Sequence, residues 1–302
     1  MRGLLLAEPT PAESGYTRFL TFPPQNGAPT PTRYPPPVPI WLIAACVLVP
    51  FLTAVAVSPD SRAFLRGTGS IRQTLSNVAV GVVFLTIQLL LRGVLLAAFA
   101  GLAALVPYKL PADAPWSFVL SFFLLDFVYY VQHRLEHAVP LLWAIHAVHH
   151  QSRDYNLSVS FRVGALASFS TLLFHSTLVL AGVSATQYAV VVTVHGALLF
   201  LLHARTKRTL GPGRFFNAPV FHRVHHGADP LYIDRNFGGV LLVFDRIFGT
   251  FAPYTSEPTF GVTGERSPDG PLSANAAPLA ALAETIRQQP TMGRKLRALF
   301  VR

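Results

Sequence analysis

Acidic side chains, lysine and cysteine are all scarce in this chain. Its 302 residues hold 14 Asp and Glu against 24 Lys and Arg, and one Cys. A single thiol, Cys46, set inside an apolar run, excludes an intramolecular disulfide. Three lysines against 21 arginines, with abundant Ala, Gly and Pro, point to a GC-rich bacterial genome and a bacterial cytoplasmic membrane rather than endoplasmic reticulum. Charged residues make up only 13% of the chain and hydrophobic ones 51%, with a mean hydropathy of +0.43, which excludes an ordinary soluble domain. The net charge of +10 would suit nucleic acid, but the arginines are scattered and form no basic stripe interleaved with aromatics. Nucleic acid is therefore excluded as a partner, and anionic headgroups account for the charge. The first 39 residues are Pro-rich and lack the basic and apolar regions of a cleavable signal; they read as a flexible tail. No Glu-x-x-His pair is present, which excludes the carboxylate-rich site of ferritin-like bundles.

Long apolar runs are what the chain has instead. Ile40–Val57, Ser76–Val106, Trp116–Val131, Val163–Gly182 and Thr186–Leu202 approach or exceed the roughly 20 residues that cross a bilayer. Gln88 and Arg92 interrupt the second run, leaving open one long tilted helix or a re-entrant turn. The last two runs read as a helical hairpin. The expected fold is an all-α, multi-pass transmembrane bundle of about four to five spans with a cytosol-facing, histidine-rich helical cap. Arg205, Lys207 and Arg208, and in the tail Arg294, Lys295, Arg297 and Arg302, read as interfacial anchors on the cytosolic side. The expected organisation is a tail over 1–39, N-terminal membrane helices over 40–115, a catalytic region over 116–255, and a C-terminal loop and amphipathic helix over 256–302, the helix near Pro278–Gln289.

All 11 histidines fall between His133 and His226. Eight form three clusters: His133-x-x-x-His137, His146-x-x-His149-His150 and His222-x-x-His225-His226. At 3.6 residues per turn, His133 and His137 stand one above the other, and each His-x-x-His-His triplet spans about 100° of arc. Neutral imidazole is a preferred ligand of borderline metals, so each cluster offers a metal-facing surface. The hairpin returns the chain to the side it left, which brings all three surfaces to one face of the membrane. His203, ending an apolar run on that face, can complete a coordination sphere. His195 lies about 12 Å earlier along the helix and reads as an interior or cavity-lining histidine, and His175 as a packing or polar contact. Asp126 and Tyr130 project on the same helical side as His133 and His137. A carboxylate at Asp126 is expected beneath one of those imidazoles, fixing its tautomer.

These residues resemble the fatty acid hydroxylase/sterol desaturase superfamily of integral-membrane di-iron enzymes. The likeness rests on the order of the three clusters, on Asp126-Phe-Val-Tyr-Tyr-Val-Gln-His-Arg, on Leu142-Trp143, and on Asn236-Phe-Gly-Gly followed by Phe244-Asp-Arg-Ile-Phe-Gly-Thr250. The stretches His149-His-Gln-Ser-Arg-Asp-Tyr-Asn-Leu-Ser158 and His222 to Asn236 look most like the alkylglycerol monooxygenase branch. The resemblance covers roughly 115–290. It implies iron ligation by His133, His137, His146, His149, His150, His222, His225 and His226, with His203 as the mid-chain ligand. It also marks Asn156 and Asn236 as candidate site residues. Many relatives carry a further histidine where this chain has Leu199, and members of the alkylglycerol branch often carry one at Phe221. The implied cofactor is a pair of iron ions, and the branch adds tetrahydropterin. The implied reaction is O2-dependent hydroxylation of a lipid or sterol C–H bond, or desaturation. Electrons must come from a separate donor of cytochrome b5, ferredoxin or flavoprotein-reductase type, because no fused haem or flavin domain is visible.

Two other classes compete. His133-x-x-Glu136-His137 fits a zinc metalloprotease pattern with Glu136 as base, but leaves six clustered histidines without a task. A non-catalytic metal carrier or haem protein would place ligands within the spans, whereas these lie beyond the ends of apolar runs.

Overall fold

The computed structural model describes residues 71–206, 213–263, 268 and 270–301. The tail over 1–39, the first expected span at Ile40–Val57, Cys46, and the anchors Lys207, Arg208 and Arg302 lie outside the described residues. Among those described, the chain is all-helical, with only two isolated antiparallel bridges, Phe216 with Leu241 and Gly227 with Phe260.

Helix α1, Ile71–Ala104, runs unbroken through Gln88 and Arg92. Its 34 residues extend about 51 Å at 1.5 Å per residue, more than the hydrocarbon thickness of a bilayer. This helix is reversed relative to one in a soluble protein: Ser76, Asn77 and Val80 are buried, while Leu75, Val82, Leu85, Leu89, Leu90 and Val94 are exposed. An apolar face of that extent is solvated by hydrocarbon. The buried polar side is used for docking, since Asn77 donates to Ser152 and Ser158.

Helix α2, Pro115–Ala138, and α3, Pro140–His150, are separated by Val139 alone. Proline in the first turn starts each of them, where its missing N–H costs no helical bond. The Val139 N–H still reaches the Leu135 carbonyl, but Pro140 cannot continue the helix, so the chain turns there. A 3-10 turn, Leu157–Phe161, leads to α4, Ala167–Leu180, and α5, Ala185–Leu202. The expected hairpin is α4 and α5. Its link uses Gly182 at φ +86° and a capping box in which Ser184 and Gln187 satisfy each other's backbone N–H. Leu125, Leu178, Val183 and Val191 form the apolar core between α2, α4 and α5.

Short helices α6, Pro219–His225, and α7, Val243–Ile247, follow, then α8, Pro271–Arg287, and α9, Met292–Phe300. The amphipathic helix expected near Pro278–Gln289 starts seven residues earlier, at Pro271, with Pro278 in its interior. Pro278 lacks the N–H that would reach the Ala274 carbonyl, and the Gln151 side chain donates to that carbonyl instead at 3.1 Å.

The expected count of four to five spans is not reached among the described residues. Two helices, α1 and α5, are long and apolar enough to cross a membrane, and α4 is apolar but shorter. α2 has the length, but Asp126, Gln132, His133, Arg134, Glu136 and His137 occupy its middle and C-terminal half. That half forms a wall of the site described next.

Candidate metal centre

Nine histidines converge in two groups. His133, His137, His146, His150 and His225 form one, and His149, His203, His222 and His226 the other, with ligand atoms in each group within 4.8 Å of one another. The grouping follows helical geometry. His146 and His150 are four apart on α3 and face one way, while His149 stands about 60° round the helix from the first and about 100° from the second, on one side of both, and faces the other group. The third cluster repeats this with opposite allegiance: His222 and His226 join the four-histidine group, and His225 crosses to the five. All nine ligands expected from the sequence are thus brought together, and the two triplets interlock across both groups.

Most of the rings are fixed from behind. His133 Nδ1 donates to the Phe237 carbonyl at 2.9 Å, His225 Nδ1 to Arg235 O at 2.8 Å, His149 Nδ1 to Arg162 O at 2.9 Å, and His203 Nδ1 to Leu199 O at 3.1 Å. His137 Nδ1 meets Asp234 at 3.1 Å and His146 Nδ1 meets Glu136 at 3.0 Å. Carbonyls and carboxylates only accept, so each Nδ1 carries the proton and each Nε2 presents a lone pair. The Nε2 atoms of His149 and His203 then face each other at 3.3 Å, lone pair to lone pair. His133, His225 and His226 have buried Nε2 atoms with no hydrogen-bond partner. One cation in each group satisfies these atoms. Two imidazole nitrogens about 2.1 Å from one ion and at right angles stand about 3.0 Å apart, close to the spacings seen here.

Burial keeps the rings neutral. Desolvation, reinforced by neighbouring imidazoles, lowers His133 to about 3, and desolvation alone brings His203 to about 4. His149, His150, His222, His225 and His226 lie well below the ordinary value for the same two reasons, desolvation first. The donor set therefore fits a borderline divalent metal. The sign of the pH dependence follows. Between the ordinary histidine pKa of about 6.5 and about pH 4, the unfolded chain binds more protons than the folded one, so acid destabilises the fold. Metal-free protein is expected to hold its melting temperature above pH 7 and lose stability below 6.5, by about 1.4 kcal/mol per pH unit for each titrating ring. A melting temperature flat down to pH 4 would contradict neutral buried imidazoles.

One loop braces the five-histidine group. Asp234, Arg235 and Phe237 supply the acceptors for His137, His225 and His133, and two buried aspartates clamp the segment that follows. Asp245 accepts the N–H groups of Phe237 and Gly238 at 2.8 and 2.7 Å and the Thr250 hydroxyl at 2.7 Å. Asp126 accepts the N–H groups of Val240 and Leu241 at 2.7 and 2.9 Å and meets His195 Nε2 at 2.7 Å. The expectation that Asp126 touches His133 or His137 is therefore corrected. Seven residues separate Asp126 from His133, about 10.5 Å of helical rise, so a shared side does not bring them into contact. Gly239 fits between these groups because a Cβ there would lie 2.5 Å from Asp126 Oδ1.

Tyr130 also makes its polar contact away from the ligands, with the Thr250 hydroxyl at 3.0 Å, and stacks on Phe248. Asn156 caps the 3-10 turn by accepting from Ser158 N and Oγ and stands outside both groups. Asn236, at φ 57°, holds the bracing loop by donating to Phe221 O and Ala252 O and accepting from Ala252 N. His175 meets the Tyr188 hydroxyl at 2.8 Å, a polar contact between α4 and α5. Glu136 is engaged by Gln132, Ser170 and His146.

Asp245 and Arg162 were not anticipated as site residues. Arg162 is fully buried, and its own carbonyl holds His149. Its guanidinium donates to Val148 O, Gln151, Ser76 and Asn77. An arginine at the start of an apolar run, where burial without acceptors is costly, was the available signal.

A cavity of about 370 Å³ borders both groups. His146 of the first group and His149, His203 and His222 of the second line it, facing apolar walls that include Ile145, Phe161, Val163, Leu199 and Phe200. A site of this size, with metal ligands at one pole and aliphatic and aromatic walls around them, accommodates an apolar chain.

Residues 118–250 match the family model for fatty acid hydroxylase. Alkylglycerol monooxygenase of Danio rerio is 36% identical over 195 residues, which cover 64% of this chain and 44% of that protein. The Homo sapiens alkylglycerol monooxygenase is 34% identical over 194 residues, 64% of this chain and 43% of that protein. Ornithine lipid hydroxylase OlsE of Rhizobium tropici is 29% identical over 161 residues, 51% of this chain and 49% of that protein. The chain spans less than half the length of these curated relatives. No solved structure matches. The matched segment carries all nine converging histidines, and over residues 118–250 this chain is similar to the fatty acid hydroxylase family.

Proposed function

We propose that this protein is an integral-membrane, non-haem di-iron monooxygenase that hydroxylates a C–H bond of a lipid. The carrying observation is the division of nine histidines into groups of five and four around one apolar-walled cavity. His133, His137, His146, His150 and His225 would hold one ion, and His149, His203, His222 and His226 the other. Two bound iron ions supply the redox chemistry that activates O2 toward an unactivated C–H bond. The chain's own residues bind, orient and exclude water. Carbonyls and carboxylates behind six of the nine rings keep their Nε2 atoms aimed inward, and Ile145, Phe161 and Phe200 keep an alkyl segment dry beside His146 and His149.

The substrate class is an amphiphile whose chain enters from the bilayer, in a protein set in a bacterial cytoplasmic membrane with the histidines on the cytosolic side. Electrons come from a separate donor, for which a tetrahydropterin is one candidate. Glu136 does not act as a hydrolytic base in this reading, because His146 and Ser170 already occupy its oxygens.

The test is metal analysis of purified protein together with lipid profiling under labelled O2. Two irons per chain and one labelled oxygen in a lipid product are expected. One zinc per chain, haem absorbance, or a product without label would each overturn the assignment.

A further inference from the structure

The C-terminal helix α9 is turned the wrong way for a protein surrounded by water. Arg294, Arg297 and Ala298 share one helical face, at spacings of three and four, and with Val301 just past the helix end they line a cavity of about 670 Å³ against α3 and α8. Met292, Leu296 and Phe300 lie on the opposite face and are exposed by 70%, 55% and 58%. The arginines thus border the cavity while staying exposed at its mouth, and the apolar stripe faces away from it. A short helix with a basic face and an apolar face lies at the boundary between headgroups and acyl chains. Its exposed stripe sets the level of the hydrocarbon, so the cavity stands at headgroup depth.

Among the described residues the two arginines have no acid to meet. Glu284 is the only carboxylate on α3, α8 and α9, and it is engaged twice by Arg287, at 2.7 Å each. Among the described residues neither Arg294 nor Arg297 forms an ion pair. The rest of the lining includes Pro140, Trp143, Leu282 and Val301. Two unpaired guanidiniums beside apolar walls match a phosphate carried on a glycerolipid, since each guanidinium offers a planar fork of donors to phosphate oxygens.

We propose that this cavity is a binding site for an anionic phospholipid, with the phosphate on Arg294 and Arg297 and the glycerol and first methylenes against Trp143, Leu282 and Val301. The site is distinct from the histidine-lined cavity and does not depend on the reaction assigned to it. Trp143 joins the two regions, because its ring centroid lies 5.0 Å from that of His137 and 5.7 Å from that of His150.

The experiment uses full-length protein with Trp41→Phe and Trp116→Phe, so that Trp143 is the single fluorophore. It is reconstituted in nanodiscs of phosphatidylcholine alone or with increasing phosphatidylglycerol. Phosphatidylglycerol is expected to shift the Trp143 emission saturably. The Arg294→Gln/Arg297→Gln variant should need about thirtyfold more anionic lipid for the same response, the equivalent of roughly 1 kcal/mol per arginine, while retaining wild-type iron. Mass spectrometry of purified protein should find phosphatidylglycerol retained by the wild type and lost from the variant. Equal retention and equal emission response in the two proteins overturn the proposal, as does a wild type that neither retains nor responds to the lipid. If inorganic phosphate or glycerol phosphate in phosphatidylcholine nanodiscs reproduces the shift, the ligand is a soluble anion and the lipid assignment is wrong. Iron loss in the variant is not expected, so failure of the metal assignment would be read separately.

Discussion

Replacing His225 with alanine is expected to cut activity more than about a hundredfold and to lower iron content by loss from the five-histidine group. His149→Ala should do the same through the four-histidine group. Both rings lie on helices that carry ligands of the other group, so a spectroscopy that separates the two ions is the informative measurement. The site with four histidines should keep its signature in the His225 variant, and the site with five in the His149 variant. Insertion into the membrane should be unchanged, because neither ring belongs to α1 or to the core of α2, α4 and α5. Wild-type activity in either variant would remove the di-iron assignment. Loss of both signatures in both variants would show that the ions are held only as a pair.

The second large effect is expected at the aspartate clamps. Asp126→Asn places an NH2 group where one oxygen now accepts two contacts or the other accepts the Leu241 N–H, so at least one buried donor loses its acceptor. Breaking a buried, charge-assisted arrangement of this kind costs about 3–5 kcal/mol. The loop it clamps carries the Phe237 carbonyl that holds His133, so iron should be lost preferentially from the five-histidine group. Asp245→Asn should give the same metal phenotype, because its oxygens hold the other end of that segment. Melting temperature and iron occupancy decide the matter together. A variant with lowered stability and full iron would leave the aspartates as folding residues only. A variant unchanged in both would remove the clamp altogether.

The convergence of the nine histidines was legible in the sequence because imidazoles at i, i+3 and i+4 share a helical face whatever the helix packs against. Their division into five and four was not, since it depends on how α3 and α6 are rotated toward each other, and single-helix periodicity carries no such information. Asp126 shows the same limit. The angular argument placed it correctly on the ligand side of α2, but axial rise set it about two turns below His133, where His195 and the Val240–Leu241 backbone meet it. The hairpin was readable from hydropathy and a short link. The true start of α8 was not, because a proline ordinarily interrupts a helix, and here the distant Gln151 side chain satisfies the carbonyl that Pro278 leaves without its helical N–H. Asp245 was visible within a motif, but its role depends on backbone groups eight and seven residues earlier that no side-chain pattern records.

Arg162 sets a limit on how the protein can be divided. The segment that matches the family model ends at residue 250 and starts at 118, yet the guanidinium beneath His149 draws acceptors from Ser76 and Asn77 before that segment and from Pro268 after it. Gln151, its partner at the C-cap of α3, also reaches beyond the segment to Ala274. A gene fragment encoding only the matched stretch would strip a fully buried cation of these acceptors and loosen the carbonyl that orients a metal ligand. The hydrocarbon-facing helix and the C-terminal helices are thus structural members of the candidate metal centre, and the unit that can be expressed, evolved or transplanted intact is larger than the segment that the family model matches.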